Sequence, residues 1–217
     1  MKTSDDLRAE KKKLIDSLVS SGYISDERVI KAMLSVPRHM FIPGKKRINA
    51  YSDRPLSIGM GQTISAPHMV GIMTQHLKVQ PHHRVLEIGA GSGYQAAVLS
   101  ELADKGQIIT LERIKQLADY AKANLEKTGY VNVEVIHHEG SRGYDNKAPY
   151  DRIIVTAAAP KIPGELTQQL ADDGLMLIPV GSKFMQTLLS LHKKKDKIVE
   201  KEICGCVFVP LIGEEGW

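Results

Sequence analysis

One stretch limits what this chain can fold into more than any other: Arg84-Val85-Leu86-Glu87-Ile88-Gly89-Ala90-Gly91-Ser92-Gly93-Tyr94. A short apolar run carries an acid near its end, passes through three alternating glycines, and opens into a helical pattern from Gln95 to Ala103. Such a pattern describes a buried parallel strand turning sharply into a helix. Glycine permits the bend and lets a ligand approach the main chain closely. The helix beyond it offers unpaired N–H groups and the positive end of its dipole. The expected guest is a nucleotide-like cofactor.

Two cofactor classes compete for that turn. Gly91-Ser92-Gly93-Tyr94-Gln95-Ala96 satisfies the dinucleotide pattern G-x-G-x-x-G/A, and Glu112 follows at about the expected distance. Glu87 argues the other way, because a carboxylate just before the glycines repels a pyrophosphate and attracts a cation. The glycines also begin earlier, at Gly89, than a dinucleotide loop needs. S-adenosyl-L-methionine, with its sulfonium and ammonium, is therefore favoured over NAD; its product would be S-adenosyl-L-homocysteine.

The rest of the chain is read around this turn. Helical stripes cover 5–21 (Leu7, Leu14, Ile15, Leu18, Val19) and a second helix capped by Ser25, with Val29, Ile30, Met33 and Leu34 facing inward until Pro37. Residues 51–68 form a long aperiodic segment whose apolar Leu56, Ile58, Met60 and Ile64 point to an ordered loop laid across a site. A helix over 67–78 follows. Strands at 107–111, 132–136, 151–156 and 175–180 alternate with helices at 113–128 and 165–170, and β segments at 187–192 and 198–208 close the chain. That alternation means a mostly parallel sheet with helices on both faces and an antiparallel terminal hairpin.

Sites on such sheets lie at the carboxyl ends of the strands. Glu87, Glu112 and Glu139 all fall at such ends. Glu112 can accept from the ribose hydroxyls of a nucleoside, and Glu139-Gly140 from an adenine amino group. Two cysteines two residues apart, Cys204 and Cys206, share one strand face and read as reduced thiols; no Cys or His set has metal-ligand spacing.

With these residues in view, the chain resembles the protein-L-isoaspartate O-methyltransferases along nearly its whole length. The resemblance is carried by Val36-Pro37-Arg38-His39-Met40-Phe41, Tyr51-Ser52-Asp53-Arg54, and above all Ile58-Gly59-Met60-Gly61-Gln62-Thr63-Ile64-Ser65-Ala66-Pro67. It continues through Val85–Ala97, Val155-Thr156-Ala157-Ala158-Ala159-Pro160 and Phe208-Val209-Pro210-Leu211. It implies a Rossmann-like, doubly wound methyltransferase fold, as a single domain with residues 1–80 as helices and covering loop and 81–217 as the cofactor-binding core. It also implies methyl transfer to the free α-carboxylate of L-isoaspartyl residues in damaged proteins and peptides, the start of their return to aspartate through a succinimide. By resemblance Ser65 is the catalytic serine beside the acceptor carboxylate, with Val209 and Pro210 on the substrate side. Gln62, Thr63, Ile64 and His68 flank the donor, and Glu87, Gly89, Gly91, Gly93, Glu112, Glu139 and Gly140 match the cofactor positions. Glu139-Gly140 departs from the family's usual Asp-Gly by one methylene. His39 is read as a structural loop residue.

The chemistry agrees with that inventory. A carboxylate acceptor is ionised at neutral pH, its ordinary pKa being about 4, so no strong base is needed. Close, aligned, dry placement is. Ser65 can donate one hydrogen bond but has no base partner to make it a nucleophile; its rival role is to cap helix 67–78. A nucleic-acid methyltransferase would employ an acid or amide and a stacking ring after the fourth strand, where this chain has Thr156-Ala157-Ala158-Ala159-Pro160. An NAD oxidoreductase is disfavoured by Glu87. A non-enzymatic adaptor would be expected to lose the loop or the acids, and both are kept.

Bulk composition sets the outer bounds. At 217 residues, 42% hydrophobic and 25% charged, the chain is an ordinary globular length and mixture. Net charge is +4, in short scattered runs such as Lys11-Lys12-Lys13, which reads as solvated surface rather than a nucleic-acid track. No apolar run reaches the roughly 20 residues of a membrane span, and Met1–Lys13 has no leader pattern. The expectation is a cytoplasmic monomer without nucleic-acid or membrane partners.

Overall fold

A computed structural model describes residues 3–195 and 197–217. Of the charged N-terminal stretch, Met1 and Lys2 lie outside the described residues. Helix α1 (Ser4–Ser20) begins at a reciprocal cap, the Thr3 side chain accepting from the Asp6 N–H and Asp6 from that of Thr3. Helix α2 (Glu27–Ser35) is capped by Asp26, which accepts from Arg28 N at 2.9 Å. The cap predicted at Ser25 is therefore one residue early: Ser25 donates through its N–H (2.7 Å) and hydroxyl (3.3 Å) to Gln75. Val29, Ala32 and Met33 make the buried stripe of α2, and Leu34, about 100° further round, is exposed, as is Val19 beside buried Leu18 in α1.

The segment read as an aperiodic loop holds a small hairpin. Strand β1 (Leu56–Gly59) pairs with β2 (Gln62–Ile64), Gly59 opposite Gln62, across Met60 and Gly61 at φ 51° and 70°. Positive φ at both central residues is what a tight two-residue hairpin requires. Helix α3 (Pro67–Leu77) follows at once.

Beyond it come β3 (Arg84–Ile88), α4 (Tyr94–Leu102), β4 (Gln107–Glu112), α5 (Lys115–Thr128), β5 (Val133–His137), β6 (Tyr150–Val155), α6 (Gly164–Gln169), β7 (Leu170–Gly181), β8 (Gln186–Lys194) and β9 (Lys197–Cys206). They build a seven-stranded sheet in the order β5-β4-β3-β6-β7-β8-β9. Strands β3 to β7 run parallel, and β8 and β9 return antiparallel at one edge. The parallel α/β sheet and its antiparallel end are as the alternation predicts. Strand β7 starts five residues before the predicted 175: Leu170 pairs with Tyr150 and the next matched pair is Leu175 with Arg152, so 171–174 bulge out, with Asp173 at φ 60°.

Side chains alternate between two cores. Val85, Ile108, Ile154 and Leu177 join the helices α1–α5, whereas Leu86, Ile109, Ile153 and Met176 meet Leu166 of α6, Tyr150 and Leu211 on the other face. The helix cover is thus unequal. Cys204 and Cys206 are free thiols on the β8–β9 pair. Among the described residues, no helix is long and apolar enough to cross a membrane.

Gly93 precedes α4 at φ 87°, and a Cβ there would sit 3.1 Å from Leu125 and 3.2 Å from the Ala121 carbonyl. Replacing Gly93 with Ala is expected to destabilise the fold by about 1–3 kcal/mol, read as a lowered urea midpoint with an unchanged slope.

Candidate active site

The sheet order reverses between β3 and β6, and the crevice at such a point is where an open α/β sheet takes its ligand. The glycine turn fills it. Gly89 and Ala90 both donate to the Leu111 carbonyl (2.9 and 3.0 Å), and Gly91 donates to Glu112 Oε2 at 2.9 Å. On the other side the Thr156 hydroxyl donates to the carbonyls of Ile88 (2.9 Å) and Gly89 (2.7 Å). A Cβ on Gly89 would lie 2.4 Å from that hydroxyl. Only glycine lets the two strand ends come this close.

Two neighbouring cavities open onto the turn. The larger, about 120 Å³, is bounded by Gln62 and Thr63 of the hairpin, Gly89, Gly91, Glu112, Gly140, and Val209-Pro210. The smaller, about 40 Å³, is bounded by Thr63, Ile64 and Ser65, the turn from Gly89 to Ser92, and Tyr94. Thr63, Gly89, Gly91 and Thr156 border both.

Ser65 is half-buried, and no described residue hydrogen-bonds its hydroxyl. It does not cap α3, whose flanking residue is Ala66 without a side-chain cap. Asp53 does that work, accepting from His68 N at 2.9 Å and facing His68 Nδ1 at 2.9 Å. The His68 ring also packs on Tyr23, centroids 5.2 Å apart, and lines neither cavity. Gly93 also stays off both walls, packed under α4 against α5.

The three acids at strand ends take different positions. Glu112 reaches the larger cavity, with both oxygens already engaged by main-chain N–H groups of Gly91 and Ile114 (each 2.9 Å). Glu139 turns away: its carboxylate accepts from Ser141 N at 2.6 Å and lines a separate polar cleft with Arg142 and Glu165. What reaches the larger cavity from that loop is His138 and Gly140, whose missing Cβ would clash with Ile88 at 2.7 Å.

Glu87 lies wholly buried beneath the turn, not on the cavity wall. It pairs in register with Thr110 on β4, whose hydroxyl donates to Oε2 at 2.5 Å, while Oε1 has no hydrogen-bond partner. Burial pushes its pKa from 4.5 up to about 8; the Thr110 bond opposes this and the nearby Glu112 adds to it. Burial thus favours the neutral acid, where the sequence reading expects a carboxylate.

These features fit a cationic nucleoside: an unsatisfied carboxyl oxygen beneath a glycine turn, and an acid at the adjacent strand end. Sequence reasoning missed Thr110, Thr156, Asp53 and Arg38 as parts of the site, although Thr156, Asp53 and Arg38 stand inside stretches that it singled out. Among the described residues no group of three or more His, Cys, Asp or Glu side chains is placed to hold a metal ion.

Comparison with known proteins points one way. The family model for Protein-L-isoaspartate(D-aspartate) O-methyltransferase matches residues 9–216. A protein-L-isoaspartate O-methyltransferase from Methanopyrus kandleri is 54% identical over 213 residues, 97% of this chain and 94% of the relative. One from Hyperthermus butylicus is 51% identical over 220 residues, 97% of this chain and 91% of the relative. A Plasmodium falciparum crystal structure, described as a protein-L-isoaspartate O-methyltransferase in complex with S-adenosyl-L-homocysteine, superposes with a TM-score of 0.84 at 28% identity, covering 93% of this chain and 98% of that one.

Between pH 4.5 and about 8 the folded protein holds a proton on Glu87 that the unfolded chain releases. The stability from this group is complete below pH 4.5, declines by at most about 1.4 kcal/mol per pH unit, and is lost above about pH 8. Glu87→Gln is expected to flatten that decline in urea titrations run across pH 5–8.5; parallel curves for both proteins would refute it.

Proposed function

The chain belongs to the protein-L-isoaspartate(D-aspartate) O-methyltransferase family, enzymes that methylate the free α-carboxylate of L-isoaspartyl residues with S-adenosyl-L-methionine, and from that premise we propose which of its residues carry the reaction. One observation supports the assignment most: the hairpin-side cavity holding Ser65 and the cavity holding Glu112 share a wall made of Thr63, Gly89, Gly91 and Thr156. A donor in one and an acceptor in the other meet over the glycine turn.

In this reading Ser65 donates a hydrogen bond to the acceptor carboxylate and fixes which oxygen faces the donor. Thr63 and Gln62 close the donor cavity from above, and Ile64, buried, anchors the strand that carries them. Glu112 keeps lone pairs free for the ribose hydroxyls while bracing the turn. Gly140, with His138, gives the adenine a floor; Glu139 takes part through its backbone position beside Gly140, since its carboxylate points elsewhere. Gly89, Gly91 and Gly93 shape the turn. Glu87 supplies the negative charge that a sulfonium favours, by giving up its proton when the cation is present. When bound, S-adenosyl-L-methionine supplies an electrophilic methyl, which passes to the carboxylate oxygen as the carbon–sulfur bond breaks and leaves a neutral thioether. The ester later closes to a succinimide as a backbone amide nitrogen attacks it and methanol leaves, and water opens the ring in part to normal aspartate, which is the repair.

The acceptor side favours a polypeptide. Gln186 pairs with Cys206, which brings the exposed Phe184-Met185 turn beside exposed Val207, two residues before Val209. Such an exposed apolar edge suits an unfolded segment. His68, locked to Asp53, stands behind Ser65 as a fixed support. We further read residues 1–80 as the cover and 81–217 as the cofactor-binding core of one domain, working as a cytoplasmic monomer apart from nucleic acid and membranes.

Two peptides differing only in one L-isoaspartyl or L-aspartyl linkage test the substrate. Base-labile label from the methyl donor is expected on the isoaspartyl peptide alone. Label on neither, with S-adenosyl-L-homocysteine still bound, would move the assignment to another acceptor. Ser65→Ala is expected to lower kcat/KM for the isoaspartyl peptide about 10- to 100-fold, the loss of one hydrogen bond to a charge. Its affinity for S-adenosyl-L-homocysteine should stay within about twofold, since that difference is under 0.5 kcal/mol.

A further inference from the structure

We propose that Arg38 is a positioning residue for methyl transfer: its buried guanidinium fixes the Ser65 backbone against the helix that follows the glycine turn, and so aims the Ser65 hydroxyl at the acceptor. The proposal rests on the assignment of Ser65 as the acceptor-binding group.

Arg38 begins the short 3-10 turn Arg38–Phe41 and is 1% exposed. Its Nε donates to the Ala50 carbonyl at 2.9 Å and its Nη2 to the Ser65 carbonyl at 2.8 Å. Its carbon Cζ lies 4.9 Å from the centroid of the Tyr94 ring. Tyr94 is the first residue of α4, and Phe41 of the same turn meets it edge-on at 5.7 Å. Three segments far apart in sequence therefore converge on one planar cation.

Among the described residues no other hydrogen bond reaches the Ser65 carbonyl. Helix α3 starts at Pro67, so the Ser65–Ala66 peptide stands outside the helical hydrogen-bond ladder. Rotation about the Ser65 Cα–C bond would change the direction of the Ser65 Cβ, and of its hydroxyl, relative to that carbonyl and to helix α3 beyond it. Arg38 holds the peptide plane from one end, and Asp53 holds His68 from the other. The segment 65–68 is thus pinned on both sides by upstream side chains.

Stability alone does not account for a cation here. Nη1 has no hydrogen-bond partner, and burial lowers the pKa of the group. An apolar side chain of similar volume commonly serves stability as well as a buried charge. What it cannot supply is two donors on one edge of a rigid fork, and lysine cannot supply them either. The arrangement is one that fixes direction.

Arg38→Met and Arg38→Lys, each alone and combined with Ser65→Ala, test this. The measurements are thermal midpoint, affinity for S-adenosyl-L-homocysteine, affinity for an isoaspartyl peptide in the presence of that product, and kcat and KM. Folded single variants, with midpoints within about 4 °C of the parent, are expected to keep the product affinity within about threefold, under 0.7 kcal/mol. Their peptide affinity should fall, and kcat/KM should drop about 10- to 100-fold and no further than in Ser65→Ala, as misplacement of that one hydroxyl would cause. Adding either change to Ser65→Ala should then cost little more, because both act through one hydroxyl. Losses that multiply, product affinity that falls in step with activity, or parental turnover in the single variants would each overturn the proposal while leaving Ser65 assigned. Should Arg38→Met fail to fold, Arg38→Lys decides by the same criteria. A Ser65→Ala enzyme with full turnover would remove the assignment of Ser65 and this proposal with it.

Discussion

The Thr156 hydroxyl, bonded to two successive carbonyls at the end of β3, is the contact from which the site is built. It is possible only because Gly89 has no Cβ, and it joins β6 to β3 at the point where the strand order reverses. With that side fixed, the turn is held from β4 by the Leu111 carbonyl and the Glu112 carboxylate. Every later feature takes its position from this frame: the start of α4, the wall shared by the two cavities, and the ceiling that the β1–β2 hairpin lays over them.

Side-chain parity explains why three acids in equivalent places behave differently. Glu87 has the same parity as Val85 and so points into the helix-covered core, across from Thr110. Burial there favours its neutral acid form, with one hydrogen bond from Thr110. Glu112, the last residue of β4, escapes the core and faces the crevice. Glu139 lies beyond the end of β5, where the chain has already turned, so its carboxylate closes a local bond to Ser141 and leaves the crevice to its neighbours. Position along a strand says which acids are near the site; parity and the first residue of turn decide which reach it.

That distinction also marks what could be read from the sequence. The parallel sheet, the glycine turn and the crevice were legible because each follows from local periodicity or from glycine. The β1–β2 hairpin was not, since Gly59-Met60-Gly61 makes its turn inside strands too short to show alternation. The early start of β7 was hidden for a similar reason: Asp172-Asp173-Gly174 has the composition of a loop, and only pairing of Leu170 with Tyr150 makes it a bulge. Arg38 was invisible for a different one. A buried arginine is recognisable only by its acceptors, and these lie 12 and 27 residues away with a ring on a third segment.

The site is built for placement rather than proton transfer. His68, the imidazole nearest Ser65 in sequence, holds Asp53 through Nδ1 and packs on Tyr23, lines neither cavity, and among the described residues makes no hydrogen bond to the Ser65 hydroxyl. The carboxylate to be methylated needs no proton removed. Discrimination between linkages then reduces to geometry: an isoaspartyl residue bears its free carboxylate directly on Cα, whereas a normal aspartyl residue bears its own one methylene further out. In the role proposed for Ser65, a single hydroxyl beside the glycine turn separates those cases only if its backbone cannot shift by the length of that methylene. Pinning Ser65 from Arg38 and His68 from Asp53 is the part of this structure that imposes such a limit.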